Sequence, residues 1–399
     1  MYHTIFIFYL HNYGHKRYTY AIMSPVMKEM KKLFVLCILL CTLFGCTEKE
    51  PVYNKYPKVI LGFDTMITMN AYATNDKDAL SYSQILENAF NKYNQLFDKY
   101  NDYEGVNNIK TINDNAGKQK VTVEQPIIDL LLLAKEYTEI TNGTFDITMG
   151  NTMVLWHNYR DQGEQINLSG SDDVPLPTTK ELQESAKYAG WKYVEIDDEN
   201  NTVYITNENV SLDVGAIAKG YTTEVVAQEL EKAGMLFGNV NGGGNVRVVG
   251  NKADGKPWGV GIANPNDPYG DTVTTIYTGG NMSVVTSGDY QRYFVSNGKI
   301  YSHIIDPDTL FPATHHRSVT IVTEDSGVAD ILSTALYVMD LEEGLQFVEN
   351  YNKTQEKPVA VVWVYDVDNH PESSLGKELN GVYIVATENI QENLRGFGK

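Results

Sequence analysis

The sequence predicts an α+β fold: one large domain over residues 58–399, in a single body or in two lobes. Three observations predict it. Apolar residues make up 42% of the chain and charged residues 21%, a globular composition. Helical and strand periodicities both occur, without the regular alternation of a doubly wound parallel sheet. No long repeat, low-complexity block or linker divides the chain.

Residues 1–26 place Tyr, His and Phe before the basic region and fit no export signal; a translation start at Met23, Met27 or Met30 accounts for them, as does an extra leader. Lys28-Glu29-Met30-Lys31-Lys32, the apolar run Leu33–Phe44 and the small Gly45 form a secretory signal. The run is shorter than the roughly 20 residues of a membrane span. Leu43-Phe44-Gly45-Cys46 resembles a bacterial lipobox, which makes 27–45 a lipoprotein signal peptide and Cys46 the lipidated first residue; a plain signal peptide or short anchor helix is the alternative. Residues 46–57 read as a tether. The expected location is the extracytoplasmic face of the cell membrane, lipid-anchored. Cleavage before Cys46 leaves a formal charge of −23 and no cysteine free for a disulfide, a thiolate nucleophile or a zinc site.

Val59–Ala73 is β-branched and alternates, so it predicts strands. Asp78–Tyr100 carries Leu80, Ile85, Leu86, Ala89, Phe90, Tyr93, Leu96 and Phe97 at helical spacing. Residues 101–117, rich in Asn, Asp and Gly, predict a loop. Pro126 opens a helix that Asn142-Gly143 stops. A third helix is expected over Thr178–Ala189 with Thr179 as its cap, then a hairpin over Trp191–Ile205 and a helix over Ala216–Ala233. Strands around Gly242-Gly243-Gly244 and on to about residue 323, one helix within Gly327–Asn350, and strands over Val359–Thr387 complete the chain.

The acidic balance, −19 over the whole chain, argues against nucleic acid as the main partner, because phosphate contacts need Lys and Arg. There is no Walker loop, HExxH, complete GxGxxG or GxSxG. Other segments carry chemistry. Ser211–Tyr221 puts Asp213, a flexible turn and Lys219 where a helix starts, and helix N-termini suit phosphate. Asp213 could bond a ribose, a base edge or Lys219, and a capped helix with a structural Asp–Lys pair reads equally well. Asn241-Gly-Gly-Gly-Asn245 lets backbone approach a ligand, or simply connects two strands tightly. Thr286–Tyr290 and Tyr301–Pro307 add hydroxyls, His303 and Asp306; a lone His is more often structural than catalytic. Asp330 and Thr334 share one helix face and offer hard oxygens fit for Mg²⁺, although such a pair is usually only a surface hydrogen bond.

Together, Gly62–Thr65, Gly143–Thr148, Asp213–Tyr221, Asn241–Gly250, Thr286–Tyr290, His303–Pro307 and Ala329–Ala335 resemble, in this order, the ApbE family of FAD:protein FMN transferases. The resemblance covers roughly residues 58–350 and implies a T-fold-related domain. It implies Mg²⁺-dependent cleavage of FAD, release of AMP, and FMN joined by phosphoester to a Thr or Ser of an exported acceptor such as an Rnf- or Nqr-type subunit. It assigns the metal to the Ala216 carbonyl, Asp330 and Thr334, with Ser333 where some relatives have a carboxylate. It assigns FAD contacts to Phe63, Thr144, Phe145, Asp146, Asp213, Lys219 and Ile305. His303 is the expected base for the acceptor hydroxyl, with Asp306 as its rival. Ile147 stands where relatives usually have Pro. Leu310 stands where they often have Gly; it resists a positive φ, so the loop is expected to take another path. A Mg²⁺-dependent FAD pyrophosphatase and a non-catalytic flavin-binding lipoprotein are the competing functions.

Overall fold

The structure, a computed structural model, describes Met30 and residues 51–397. The expected leader, the signal peptide apart from Met30, and Cys46 lie outside the described residues. The chain divides into two units after Val52, and the second, which starts at Tyr53, is compact. In the second unit the chain runs β1 (Asn54–Gly62), β2 (Thr65–Ala73), α1 (Asp76–Leu96), α2 (Ile109–Asp114), β3 (Val121–Thr122), α3 (Gln125–Ile140), α4 (Gly150–Leu168) and α5 (Thr179–Ala186). It continues through β4 (Val194–Asp197), β5 (Thr202–Ile205), α6 (Ala218–Lys232), β6 (Gly238–Gly242), β7 (Asn245–Val249), β8 (Trp258–Asn264), β9 (Asp267–Thr278), β10 (Ser283–Gly288), β11 (Tyr293–Ser296) and β12 (Lys299–Ser302). It ends with β13 (Ser318–Thr323), α7 (Ser326–Val338), α8 (Leu341–Thr354), β14 (Ala360–Asp366), β15 (Gly376–Leu379), β16 (Val382–Ala386) and α9 (Glu388–Gln391).

Nine strands form one sheet in the order β1-β2-β6-β7-β10-β13-β14-β16-β15. Every neighbouring pair is antiparallel, which makes the fold α+β as the mixed periodicity predicts. Strand side chains alternate between faces. In β14, Val361, Trp363 and Tyr365 enter the main core, while Ala360, Val362 and Val364 enter a second core on the opposite face. Val385 and Ile384 of β16 divide in the same way. The main core lies under α1, α3, α6 and α7; the second is closed by the β8–β9 hairpin together with Ile390 and Leu394. These central strands therefore read as continuous apolar runs, because both faces are covered. A smaller third cluster gathers Trp156 of α4, Val174, Leu182, Phe294 and Ile305. All three belong to one compact unit, so the domain has one body.

Several local expectations need correction. The loop expected over 101–117 contains α2, which Asn108 and Thr111 open with a reciprocal capping box. Two helices, not one, fill 326–354; Asp340 breaks the run and caps α8 by accepting the Glu343 N–H at 2.9 Å. Thr178, not Thr179, caps α5. Asn54–Pro57, expected in the tether, open β1, where Pro57 is tolerated on an edge strand. Helix α4 was not foreseen: it has no side-chain cap and buries only Gly150, Thr152, Trp156 and Gly163, so no apolar stripe announces it.

His316, 3% exposed, lies between Tyr337 and Tyr365 and bonds the Met339 carbonyl through Nε2 at 2.8 Å. Burial pushes its pKa down to about 4, so it is neutral in the fold. The unfolded chain takes up this proton first, and stability is lost as pH falls from about 6.5 towards 4. Chemical denaturation of wild type and His316→Gln across that range should show wild type losing about 3 kcal/mol more than the variant; parallel pH curves would refute this.

Candidate active site

The site is built on a helix crossing. Helix α6 meets α7 at Gly220, where an added Cβ would lie 2.3 Å from the Ser326 carbonyl oxygen and 2.4 Å from Asp330 Cβ. The Gly220 N–H, unpaired at the start of its helix, donates to Asp330 Oδ2 at 2.8 Å. Asp330 is 4% exposed. Burial raises its pKa, and Lys219, the Gly220 N–H and Asn245 oppose that rise. Thr334 lies one turn further along α7 and is half-buried. Ala216 lies in the turn that leads into α6. Ser333 is fully buried and spends its hydroxyl on Ser287 (2.7 Å) and the Asp330 carbonyl (2.9 Å), so it is structural.

Two tight turns flank this crossing. Phe63 and Asp64, both at positive φ, join β1 to β2, and the Phe63 N–H donates to Asn94 Oδ1 at 2.7 Å. Such a turn normally holds Asn and Gly, so Phe63 is kept in a strained backbone with its ring half-exposed. Gly243 and Gly244 join β6 to β7 at positive φ. A Cβ on Gly243 would fall 2.4 Å from Thr65, so the two turns touch.

Asp213 does not pair with Lys219. Its Oδ2 forms an ion pair with Lys99, and its Oδ1 accepts the Gly215 N–H at 2.9 Å. Lys99 is mostly buried; burial favours its neutral form, but Asp213 outweighs this and raises the pKa. The Asp213 N–H donates to the Ile147 carbonyl at 2.8 Å, which sets the 144–148 segment beside it. Pro and Ile both carry that carbonyl, so Ile147 keeps the contact. Thr144 and Asp146 are half-buried there, and burial raises the Asp146 pKa. Phe145 and Ile305 do not line the site with their side chains: they are 2% and 3% exposed, in the main and third cores.

Lys219 has no carboxylate partner among the described residues; its Nζ is 3.5 Å from the Gly215 carbonyl. Its charge lowers the pKa of both Asp330 and His303. His303 is pushed down to about 3, first by burial and then by Arg292, Lys219 and Arg160. Its Nδ1 is buried without a partner. Asp306 is occupied: its carboxylate accepts the Asp308 N–H at 2.9 Å and the Thr309 hydroxyl at 2.7 Å, so it holds its own loop. Leu310 adopts the positive φ it was expected to resist, at +63. The Leu310 N–H donates to the Asp306 carbonyl, its own carbonyl accepts from Trp156 Nε1, both at 2.8 Å, and its side chain packs in the third cluster. Those contacts offset a left-handed backbone cost of about 1–2 kcal/mol.

Sequence reasoning missed Lys99, Tyr100, His157 and Arg160. Lys99 Nζ lies 4.9 Å from the Tyr100 ring centroid, and that ring lies 5.8 Å from His157. No motif marks them.

An all-antiparallel sheet backing a close helix crossing, with Lys219 beside the one buried carboxylate at that crossing, defines an α+β protein with a charged centre. The ApbE family model matches residues 63–357, and the chain belongs to the ApbE family. It is 29% identical over 277 residues to an FAD:protein FMN transferase of Haemophilus influenzae, covering 68% of this chain and 75% of that protein. It is 28% identical over 322 residues to one of Vibrio cholerae, covering 80% and 91%. Its fold matches the crystal structure of an ApbE protein from Thermotoga maritima with a TM-score of 0.69 at 28% identity, covering 85% of this chain and 99% of that one.

Gly220→Ala should force α6 from α7 and destabilise the protein by about 1–3 kcal/mol. Thermal unfolding measures it, and an unchanged midpoint would show that the crossing yields.

Proposed function

We propose that this protein is an FAD:protein FMN transferase. The observation that carries the reading is the buried Asp330 held at the start of α6 beside Lys219, inside a chain of this family. An acceptor Thr or Ser hydroxyl oxygen attacks the FMN-side phosphorus of FAD, the bond to the AMP-side oxygen breaks, and AMP leaves with the electron pair. The hydroxyl proton passes to His303, whose Nδ1 is free while Asp306 is not. A base with so low a pKa is weak alone. Bound diphosphate adds negative charge among the cations that depress it and so raises its basicity. Lys219 takes phosphate charge, and Phe63 offers an apolar surface to the flavin.

The donors at the crossing fit Mg²⁺. The Asp330 carboxylate, Thr334 hydroxyl and Ala216 carbonyl are hard oxygens, and Asn245 Oδ1 is buried without a partner. No group of three His, Cys, Asp or Glu among the described residues could hold a metal. A single carboxylate leaves positions for water and substrate oxygens, as Mg²⁺ prefers. When bound, Mg²⁺ neutralises the diphosphate and stabilises the leaving group.

The lipobox-like Leu43-Phe44-Gly45-Cys46 supports an anchor at the extracytoplasmic face of the cell membrane, beside exported Rnf- or Nqr-type acceptors. No helix among the described residues is long and apolar enough to cross a membrane.

Mass spectrometry of an acceptor domain incubated with the protein, FAD and Mg²⁺ tests the reading. One FMN should be gained on a Thr or Ser, and Asp330→Ala should abolish the gain. His303→Ala should retain FAD binding while transfer falls about a hundredfold or more; unchanged transfer removes His303 from the mechanism. Free FMN and AMP with no adduct on two acceptors would make the protein a pyrophosphatase, and intact FAD a binding protein.

A further inference from the structure

Among the described residues three arginines are largely buried, and two are well paired. Arg247 reaches Glu224 at 3.0 Å and Glu231 at 3.3 Å; Arg317 reaches Asp289 and Asp366, each at 2.7 Å. Arg160 differs. Its side chain is 16% exposed, yet its nearest carboxylate oxygens, on Glu164 and Asp161, lie 3.6 and 3.8 Å away, beyond hydrogen-bond length. Its one close partner among the described residues is His157 Nδ1, on the same helix. A guanidinium has five N–H donors, so most of this fork is unspent.

The surroundings aim it at the site. Trp156, one turn earlier on α4, bonds the Leu310 carbonyl and stacks on Tyr301 with ring centroids 6.2 Å apart, which fixes this helix face against the His303 loop. On the other side, His157 meets Tyr100, Tyr100 lies under Lys99, and Lys99 pairs with Asp213. Arg160 thus sits between the His303 loop and the Asp213 turn.

We propose that Arg160 is a substrate-binding residue whose free guanidinium edge grips the diphosphate of the dinucleotide, opposite Lys219. The proposal rests on the flavin-transfer reading. Lys219 is a point charge at a helix start, whereas Arg160 supplies a planar fork that matches two phosphate oxygens at once. The two hold the diphosphate from two sides, which orients it for in-line displacement.

The test measures binding of FAD and of riboflavin, which carries no phosphate, to full-length wild type, Arg160→Gln and Arg160→Lys by flavin fluorescence. Arg160→Gln should weaken FAD about ten- to a hundredfold and leave riboflavin unchanged; Arg160→Lys should recover only part. Unchanged FAD affinity overturns the proposal. Equal losses for both ligands also overturn it, because they mean a structural role. If wild type takes up no FAD, the transferase reading fails separately, and calorimetry with inorganic pyrophosphate decides Arg160: equal affinity in wild type and Arg160→Gln overturns it.

Discussion

The close crossing of α6 and α7 at Gly220 governs the rest of the site. With no Cβ between them, a buried carboxylate on one helix reaches an unpaired backbone donor, the Gly220 N–H, at the start of the other. That bond helps a buried charge to be tolerated. The crossing is locked from behind: Glu224 of α6 accepts the Ser326 N–H at the start of α7 and binds Arg247 on β7. Sheet and both helices are therefore one rigid frame, and Lys219, Asp330 and Thr334 cannot drift independently.

Electrostatics at the site run against the chain as a whole. The protein carries −19, yet Lys99, Arg160, Lys219 and Arg292 gather around His303 and Asp213. Only Lys99 is matched closely by a carboxylate within the site. A local surplus of cations inside an acidic body attracts one compact anion without making the surface sticky towards polyanions.

Much of this was legible in the sequence because it is local. The apolar spacing of Leu86, Ala89, Phe90 and Tyr93 marks α1, and all four are buried. Asp330 and Thr334 share a face because four residues make about one turn. The glycine turn reads as a turn because only Gly accepts its backbone easily. What stayed hidden depends on distant chain segments. Asp213 meets Lys99 across 114 positions, and nothing near either residue announces the other. Arg160 sits on a helix whose buried residues form no apolar stripe, so neither the helix nor its orientation could be read. Phe145 and Ile305 look like ligand contacts by motif and are core residues by packing.

Leu310 carries a lesson about loop grafting. A left-handed leucine survives where its carbonyl is clasped by an indole and its side chain has a pocket. The strain and the contacts that offset it therefore lie on separate parts of the chain. Grafting the 303–310 loop into a relative would carry the strain but leave its remedy behind, and only a chimera that also transfers position 156 inherits a stable loop.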